Sequence, residues 1–291
     1  MNAYFPLPGT PAPMHTWTVD GGLRLAGDSW GHPQAPLVML LHGLGQTRHA
    51  WRATGRMLGS AGYHAVAFDA RGHGDSDWAA DGDYSRDAMV RDVQCLVAAL
   101  GKRPALVGAS MGGATSMIGV GEGLIEASAL ILVDIAPRTE PCGVAKVKSF
   151  MRGTSGGFRT LEEAAEAIEA YRPRRRAGDK PDGLAKVLRL GGDGLYHWHW
   201  DPRLMARERE SDERRVEAAR RLELPTLLVR GGRSDVVSED GARDFLRSCP
   251  RATFVNIAGA GHMVSGDRND VFGRAALDFL RLAAPGRPIP T

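Results

Sequence analysis

The sequence predicts an α/β protein: one core built on a mostly parallel sheet, interrupted by a long helical insertion. Two observations carry this expectation. Apolar runs of strand length at 37–41, 63–68, 104–108, 128–133, 225–230 and 252–257 alternate with helical stretches such as Arg86 to Leu100, Glu239 to Ser248 and Val271 to Leu282. Such alternation builds βαβ units, whose ligands gather at the carboxyl ends of the strands. Between Asp134 and Pro225 the alternation then stops for about 90 residues, too long for a plain loop.

Residues 1–14 form a Pro-rich arm; Met1 to Pro13 lacks the basic start and apolar stretch of a signal peptide. Thr16 to Val19 and Leu23 to Ala26, around Asp20-Gly21-Gly22, predict an antiparallel hairpin at the sheet edge. Leu37 to Leu41 is the first buried strand and runs into His42-Gly43-Leu44-Gly45. After the strand at 63–68, Asp69 opens the run Asp69-Ala70-Arg71-Gly72-His73-Gly74-Asp75-Ser76, where a carboxylate satisfies loop amides. Pro104 to Gly108 feeds a helix from Gly112 to Val120 whose small apolar residues suit tight packing on a sheet. Ala129 to Val133 is a further buried strand, followed by Asp134.

The core is expected over 15–137 and 221–285, the insertion over 138–220 and a short tail over 286–291. Within the insertion, Leu161 to Tyr171 sets Glu162, Glu163 and Glu166 against Ile168 and several alanines, an amphipathic helix. Arg172 to Pro181 is a basic break, and Asp182-Gly183 precedes another expected helix. Leu195 to Asp201 holds two of the six tryptophans; if extended, its period of two sends His197 and His199 to one face and Trp198 and Trp200 to the other. Either those tryptophans anchor the insertion to the core or they roof an apolar pocket.

Chemistry concentrates at Gly108-Ala109-Ser110-Met111-Gly112, between a strand and a helix. A sharp strand-to-helix turn needs small residues on both sides and holds the serine hydroxyl in the open. A serine hydroxyl is a poor nucleophile until a histidine takes its proton and a carboxylate orients that histidine. His262 follows the strand 252–257 in the small-residue loop Ala258-Gly259-Ala260-Gly261, and is the expected base. Asp235, in Gly231-Gly232-Arg233-Ser234-Asp235 after the strand 226–230, is the expected acid, with Asp134 as the alternative. The backbone N–H groups of Leu44 and Met111 are placed to hold a developing oxyanion, which makes His42 a loop-shaping residue. Trp198, Trp200, Val236 and Met263 are the expected pocket residues.

With these motifs in order, the chain resembles the α/β-hydrolase superfamily over roughly residues 15 to 285. The matching segments are His42-Gly43-Leu44-Gly45, the run Asp69 to Ser76, Gly108-x-Ser110-x-Gly112, Gly232-x-x-Asp235 and Gly261-His262. The resemblance implies the α/β-hydrolase fold: a mostly parallel eight-stranded sheet with helices on both faces and an inserted helical cap. It also implies triad roles for Ser110, Asp235 and His262, since the order serine, acid, histidine is that of the family. The capped esterase, perhydrolase and carbon–carbon hydrolase branch is the most similar. The expected activity is that of a carboxylesterase on small or medium apolar esters through an acyl-serine. Alternatives sharing the constellation are a meta-cleavage-type carbon–carbon hydrolase, a lactonase, a thioesterase, a cofactor-free perhydrolase, and a non-catalytic small-ligand receptor.

Composition narrows the rest. With 43% hydrophobic residues over 291, the chain buries a large core. No apolar run approaches a membrane span. The net charge of +3 comes from interspersed charges, as in Arg207-Glu208-Arg209-Glu210, read as a solvated helix pattern, so nucleic acid is not expected as a partner. Three scattered cysteines fit a reducing, cytoplasmic setting, and neither they nor the paired histidines 197 and 199 make a metal site. No cofactor is expected; the partner is a small-molecule ester, and a homo-oligomer is compatible with the sequence.

Overall fold

The computed structural model describes residues 4–171, 181–206, 210–264 and 269–286; the basic break at 172–180 lies outside them. The strands are β1 (Tyr4–Pro6), β2 (His15–Thr18), β3 (Arg24–Trp30), β4 (Leu37–Leu41), β5 (His64–Phe68), β6 (Ala105–Ala109), β7 (Ala129–Val133), β8 (Leu188–Gly191), β9 (Tyr196–Trp198), β10 (Thr226–Gly231) and β11 (Ala252–Ile257). Eight of them form one sheet in the order β11-β10-β7-β6-β4-β5-β3-β2. Only β3 runs against its neighbours, pairing antiparallel with β2 and β5. The expected strands and the edge hairpin are thus all present.

The helices are α1 (Arg52–Ser60), α2 (Arg86–Leu100), α3 (Met111–Gly121), α4 (Pro141–Gly153), α5 (Leu161–Tyr171), α6 (Asp212–Arg220), α7 (Glu239–Ser248) and α8 (Asn269–Ala283). Alternate residues of each central strand serve opposite faces. Leu37, Met39 and Leu41 of β4 join Val93 of α2, Met117 of α3 and Phe245 of α7. Val38 and Leu40 join Leu58 of α1 and Leu280 of α8 on the other face. Covered on both sides, β4 to β7 and β10 are buried throughout, whereas the edge strand β11 keeps Phe254 exposed. The helix ends are set locally: the Ser85 hydroxyl accepts the Ala88 N–H at the start of α2, and Gly101 ends it at φ 63°.

The segment between β7 and β10 departs from an all-helical insertion. After α5, residues Pro181–Lys186 form a 3-10 turn, and the chain continues into β8 where a helix was expected. The reason is pairing: β8 is the middle strand of an antiparallel sheet β1-β8-β9. The N-terminal arm supplies its edge, with Phe5 opposite Leu190, and Leu7 buries beside Phe158 and Leu188. The arm therefore packs on the insertion. At the other end α6, within the expected span of the insertion, packs on α3 of the core, where a side chain on Gly121 would strike the Ala218 carbonyl at 2.1 Å.

Candidate active site

Ser110 sits between β6 and α3 at φ 46°, ψ −107°, a conformation a side-chain-bearing residue holds only under strain, about 1–3 kcal/mol. Close packing imposes it. A Cβ on Gly108 would lie 2.5 Å from the Gly113 Cα, and one on Gly112 would lie 2.5 Å from the Leu41 carbonyl oxygen. The glycines are needed because α3 starts against β4 and β6. Among the described residues only one other non-glycine residue has positive φ, Asp134 at 49°. Both strained positions are at carboxyl ends of neighbouring strands.

His262 joins them. Its Nδ1 is 2.7 Å from Asp134 Oδ2 and its Nε2 is 3.3 Å from Ser110 Oγ. A carboxylate only accepts, so Nδ1 carries the proton and Nε2 is left to accept from the serine hydroxyl. The second distance is long, as such contacts often are before a substrate tightens the site. Asp134 is fully buried and is also bonded by the Gly231 N–H at 2.8 Å and the Ser234 hydroxyl at 2.5 Å. Ser234 in turn accepts the Val236 and Val237 amides, each at 3.1 Å.

This geometry corrects the expected acid. Asp235 points away: its carboxylate, 45% exposed, pairs with Lys146 of α4 at 2.9 Å. The sheet order is the physical reason. β7 lies between β6, which carries the serine, and β10, so the residue ending β7 faces the loop arriving from β11. The turn after β10 packs closely on the loop from β11, where a Cβ on Gly231 would lie 2.1 Å from the Gly261 carbonyl oxygen, and it is Ser234 that this turn brings to Asp134. Ser234 contributes a hydroxyl that nothing in the linear sequence sets apart. A carboxylate ending a wholly apolar strand and followed by Ile135-Ala136 was the available signal, since it needs partners to be buried.

The loop between β4 and α1 brings Leu44 to Ser110. Around these two residues the backbone amides are committed: Gly43 N–H to Gln46 Oε1 at 2.8 Å, Gly45 N–H to His73 Nε2 at 3.3 Å, Ser110 N–H to the Val133 carbonyl at 3.1 Å and Gly112 N–H to the His42 carbonyl at 3.1 Å. Among the described residues, the N–H groups of Leu44 and Met111 make no hydrogen bond of this kind. His42 is no competitor for the base. Its Nε2 accepts the Ala70 N–H at 2.9 Å and its Nδ1–H donates to the Gly43 carbonyl at 2.8 Å; burial pushes its pKa down. Arg86, also unanticipated, binds the Met111 carbonyl at 2.8 Å and pairs with Glu210. Glu210 is therefore buried rather than part of a solvated helix; residues 207–209 lie outside the described residues.

A cavity of about 350 Å³ opens above Ser110 and His262, walled by Phe150, Met151, Tyr171, Trp198, Trp200 and Met263. Trp198 is held by its Nε1–H on Thr154 Oγ1 at 2.9 Å and edge-on to Phe158. A smaller cavity of about 90 Å³, lined by Val236, Leu204 and the Arg86–Glu210 pair, also borders Ser110 and His262. All four expected pocket residues thus border one cavity or the other. Among the described residues no cluster of three His, Cys, Asp or Glu side chains could hold a metal ion, and no helix is long and apolar enough to cross a membrane.

A strained serine, a histidine and a buried aspartate at the carboxyl edge of this sheet define the hydrolase class of α/β folds. Residues 38–275 match the model of the alpha/beta hydrolase family, and the chain belongs to that family. It is 28% identical over 256 residues to a 3-hydroxybutyrate-oligomer hydrolase of Cupriavidus necator, covering 82% of this chain and 87% of that protein. It is 27% identical over 260 residues to an esterase of Mycobacterium tuberculosis, covering 87% and 83%. An alpha/beta hydrolase from Novosphingobium aromaticivorans shares the fold at a TM-score of 0.75 and 24% identity, over 90% of this chain and 96% of that one.

Proposed function

We propose that the chain is a carboxylic ester hydrolase that works through an acyl-serine on Ser110. The observation that carries this is the hydrogen-bonded series Ser110, His262, Asp134, whose two end members are the strained non-glycine residues of the described chain. His262 Nε2 takes the Ser110 proton as Oγ attacks the ester carbonyl carbon, and the N–H groups of Leu44 and Met111 hold the oxygen as it becomes negative. Collapse breaks the carbon–oxygen bond to the alcohol, which leaves with the proton from His262. Water then attacks the acyl-serine in the same way, releasing the acid and restoring the Ser110 hydroxyl. Asp134 keeps the Nδ1–H tautomer and balances the transient imidazolium.

The insertion acts as a cap over the site, and its aromatic wall suits an apolar group. The two cavities meet at Ser110, so the larger takes one arm of the ester and the smaller takes the other, short arm. The relative named as an esterase supports ester over carbon–carbon chemistry, and the one named as a 3-hydroxybutyrate-oligomer hydrolase supports hydrolysis. The free cysteines 95, 142 and 249 suit a reducing compartment such as the cytoplasm. The test is hydrolysis of a p-nitrophenyl ester series from acetate to decanoate by the native chain and by Ser110→Ala. The expected result is turnover with an optimum at short to medium chains that falls about 10⁴- to 10⁶-fold in the variant. A folded native chain inactive on every ester would remove the esterase assignment.

A further inference from the structure

The histidine of the insertion that lies deepest is spent on the backbone beside Leu44. His199, 1% exposed, follows β9. Its Nδ1 accepts the Gly74 N–H at 2.7 Å, so its Nε2 carries the proton and donates to the Gly45 carbonyl at 3.2 Å. Two more buried imidazoles continue the row, His73 5.9 Å from His199 and His42 5.0 Å from His73, centroid to centroid. Each grips a different group of one short loop: His42 the Gly43 carbonyl, His73 the Gly45 amide and His199 the Gly45 carbonyl. The Gly43 carbonyl and the Leu44 N–H belong to one trans peptide and point in opposite directions. His42 and His73 therefore fix the peptides on the two sides of Leu44, which aims its N–H, and His199 fixes the next peptide, Gly45–Gln46, and with it the sharp turn that Gly45 makes at φ 74°.

His199 is the member of this row that comes from the insertion, 154 residues from Gly45. Neighbouring contacts pin the same stretch to the core: Arg189 to Asp75 at 2.7 Å, the Asp201 N–H to the Gly72 carbonyl at 2.9 Å, and the Tyr84 hydroxyl to Asp201 at 2.5 Å. Burial and nearby Arg189 push the His199 pKa down to about 3, so the ring is neutral and able to accept an amide at ordinary pH.

We infer that His199 is a positioning residue for the oxyanion-holding amide of Leu44, through which the seated insertion completes the site; this rests on the acyl-serine reading above. Three variants separate the two bonds of the ring. His199→Phe removes both, His199→Asn keeps a polar atom near Nδ1, and His199→Gln keeps a donor near Nε2. Measured on p-nitrophenyl butyrate, kcat should fall about 10- to 100-fold in His199→Phe and His199→Asn, with KM little changed, and recover toward native in His199→Gln. The affinity of a trifluoromethyl ketone, whose adduct places an oxyanion in the same position, should fall in step with kcat.

A His199→Phe or His199→Asn protein that is folded by circular dichroism, yet keeps native kcat and ketone affinity, overturns the inference. So does a loss confined to KM. If His199→Phe does not fold, the Asn and Gln pair still decides. Ser110→Ala in the same assay separates the two levels: an active Ser110→Ala sinks the acyl-serine reading and the inference with it. A dead Ser110→Ala beside an unaffected His199 series sinks the inference alone.

Discussion

The carboxyl edge of the sheet and the underside of the insertion face each other across the cavity, and they are built on different terms. At the sheet edge, Ser110, Asp134, Ser234 and His262 come from the ends of four strands that are consecutive in the sheet, β6, β7, β10 and β11, and each polar atom meets a named partner. On the underside, Phe150, Tyr171, Trp198 and Trp200 come from α4, α5 and the stretch around β9; the first three meet through ring contacts and Trp200 packs in the same apolar cluster as Phe150 and Trp198. Strand ends in a register fixed by burial can hold atoms to within a hydrogen bond's tolerance. Aromatic packing on inserted elements sets volume and shape, and tolerates change far better.

The most severe break falls on the sheet edge. Asp134→Asn should lower kcat by about 10⁴, because an amide no longer selects the Nδ1–H tautomer of His262. Asp235→Asn, which alters only an exposed pair with Lys146, should change kcat by less than about twofold. Parallel kcat measurements on the two variants decide between the candidate acids; equal losses would contradict the hydrogen bonding found here. Ser234→Ala comes next. It removes one donor from a buried carboxylate and leaves the Val236 and Val237 amides without their acceptor, so a loss of about 10- to 100-fold in kcat is expected.

Much of the sheet side was legible in the sequence. Strand runs and small-residue turns are local signals, and they placed β4 to β7, β10, β11, the Ser110 elbow and His262. The acid was not separable in this way. Asp134 and Asp235 both lie between Ser110 and His262 in chain order and both follow a buried strand. What distinguishes them is that β7 rather than β10 pairs directly with β6, a property of sheet order that a linear pattern does not carry. The insertion was legible only in outline. Its helix α5 has its own periodicity, whereas β8 is paired on one side with β9 and on the other with the distant β1, and Glu210 is buried because Arg86, distant in sequence, receives it. The roles of His73 and His199 are likewise tertiary, each being defined by a backbone group on another segment.

Breaking the underside should give a smaller effect of a different kind. Trp198→Ala removes one wall of the larger cavity and the bond to Thr154. The kcat/KM for octanoate should change by about tenfold while that for acetate changes little, because acetate does not reach this wall. A uniform loss across the ester series would mean that Trp198 acts on the chemistry rather than on the fit.

The mildest test joins the two regions, since the imidazole row stands between them. His42 and His199 are both held neutral by burial, with folded-state pKa values below the unfolded value of about 6.5. Below that pH the unfolded chain binds protons that the folded chain refuses. Their contribution to stability is therefore complete above about pH 6.5 and is lost as pH falls, for His199 down to about 3, with a slope approaching about 1.4 kcal/mol per pH unit for that ring. Urea unfolding between pH 7.5 and 4.5 measures that slope. His199→Gln should be less stable than the native chain at pH 7.5 and close the gap as pH falls, because glutamine does not titrate; parallel curves would show that His199 is not the neutral, buried bridge between insertion and sheet.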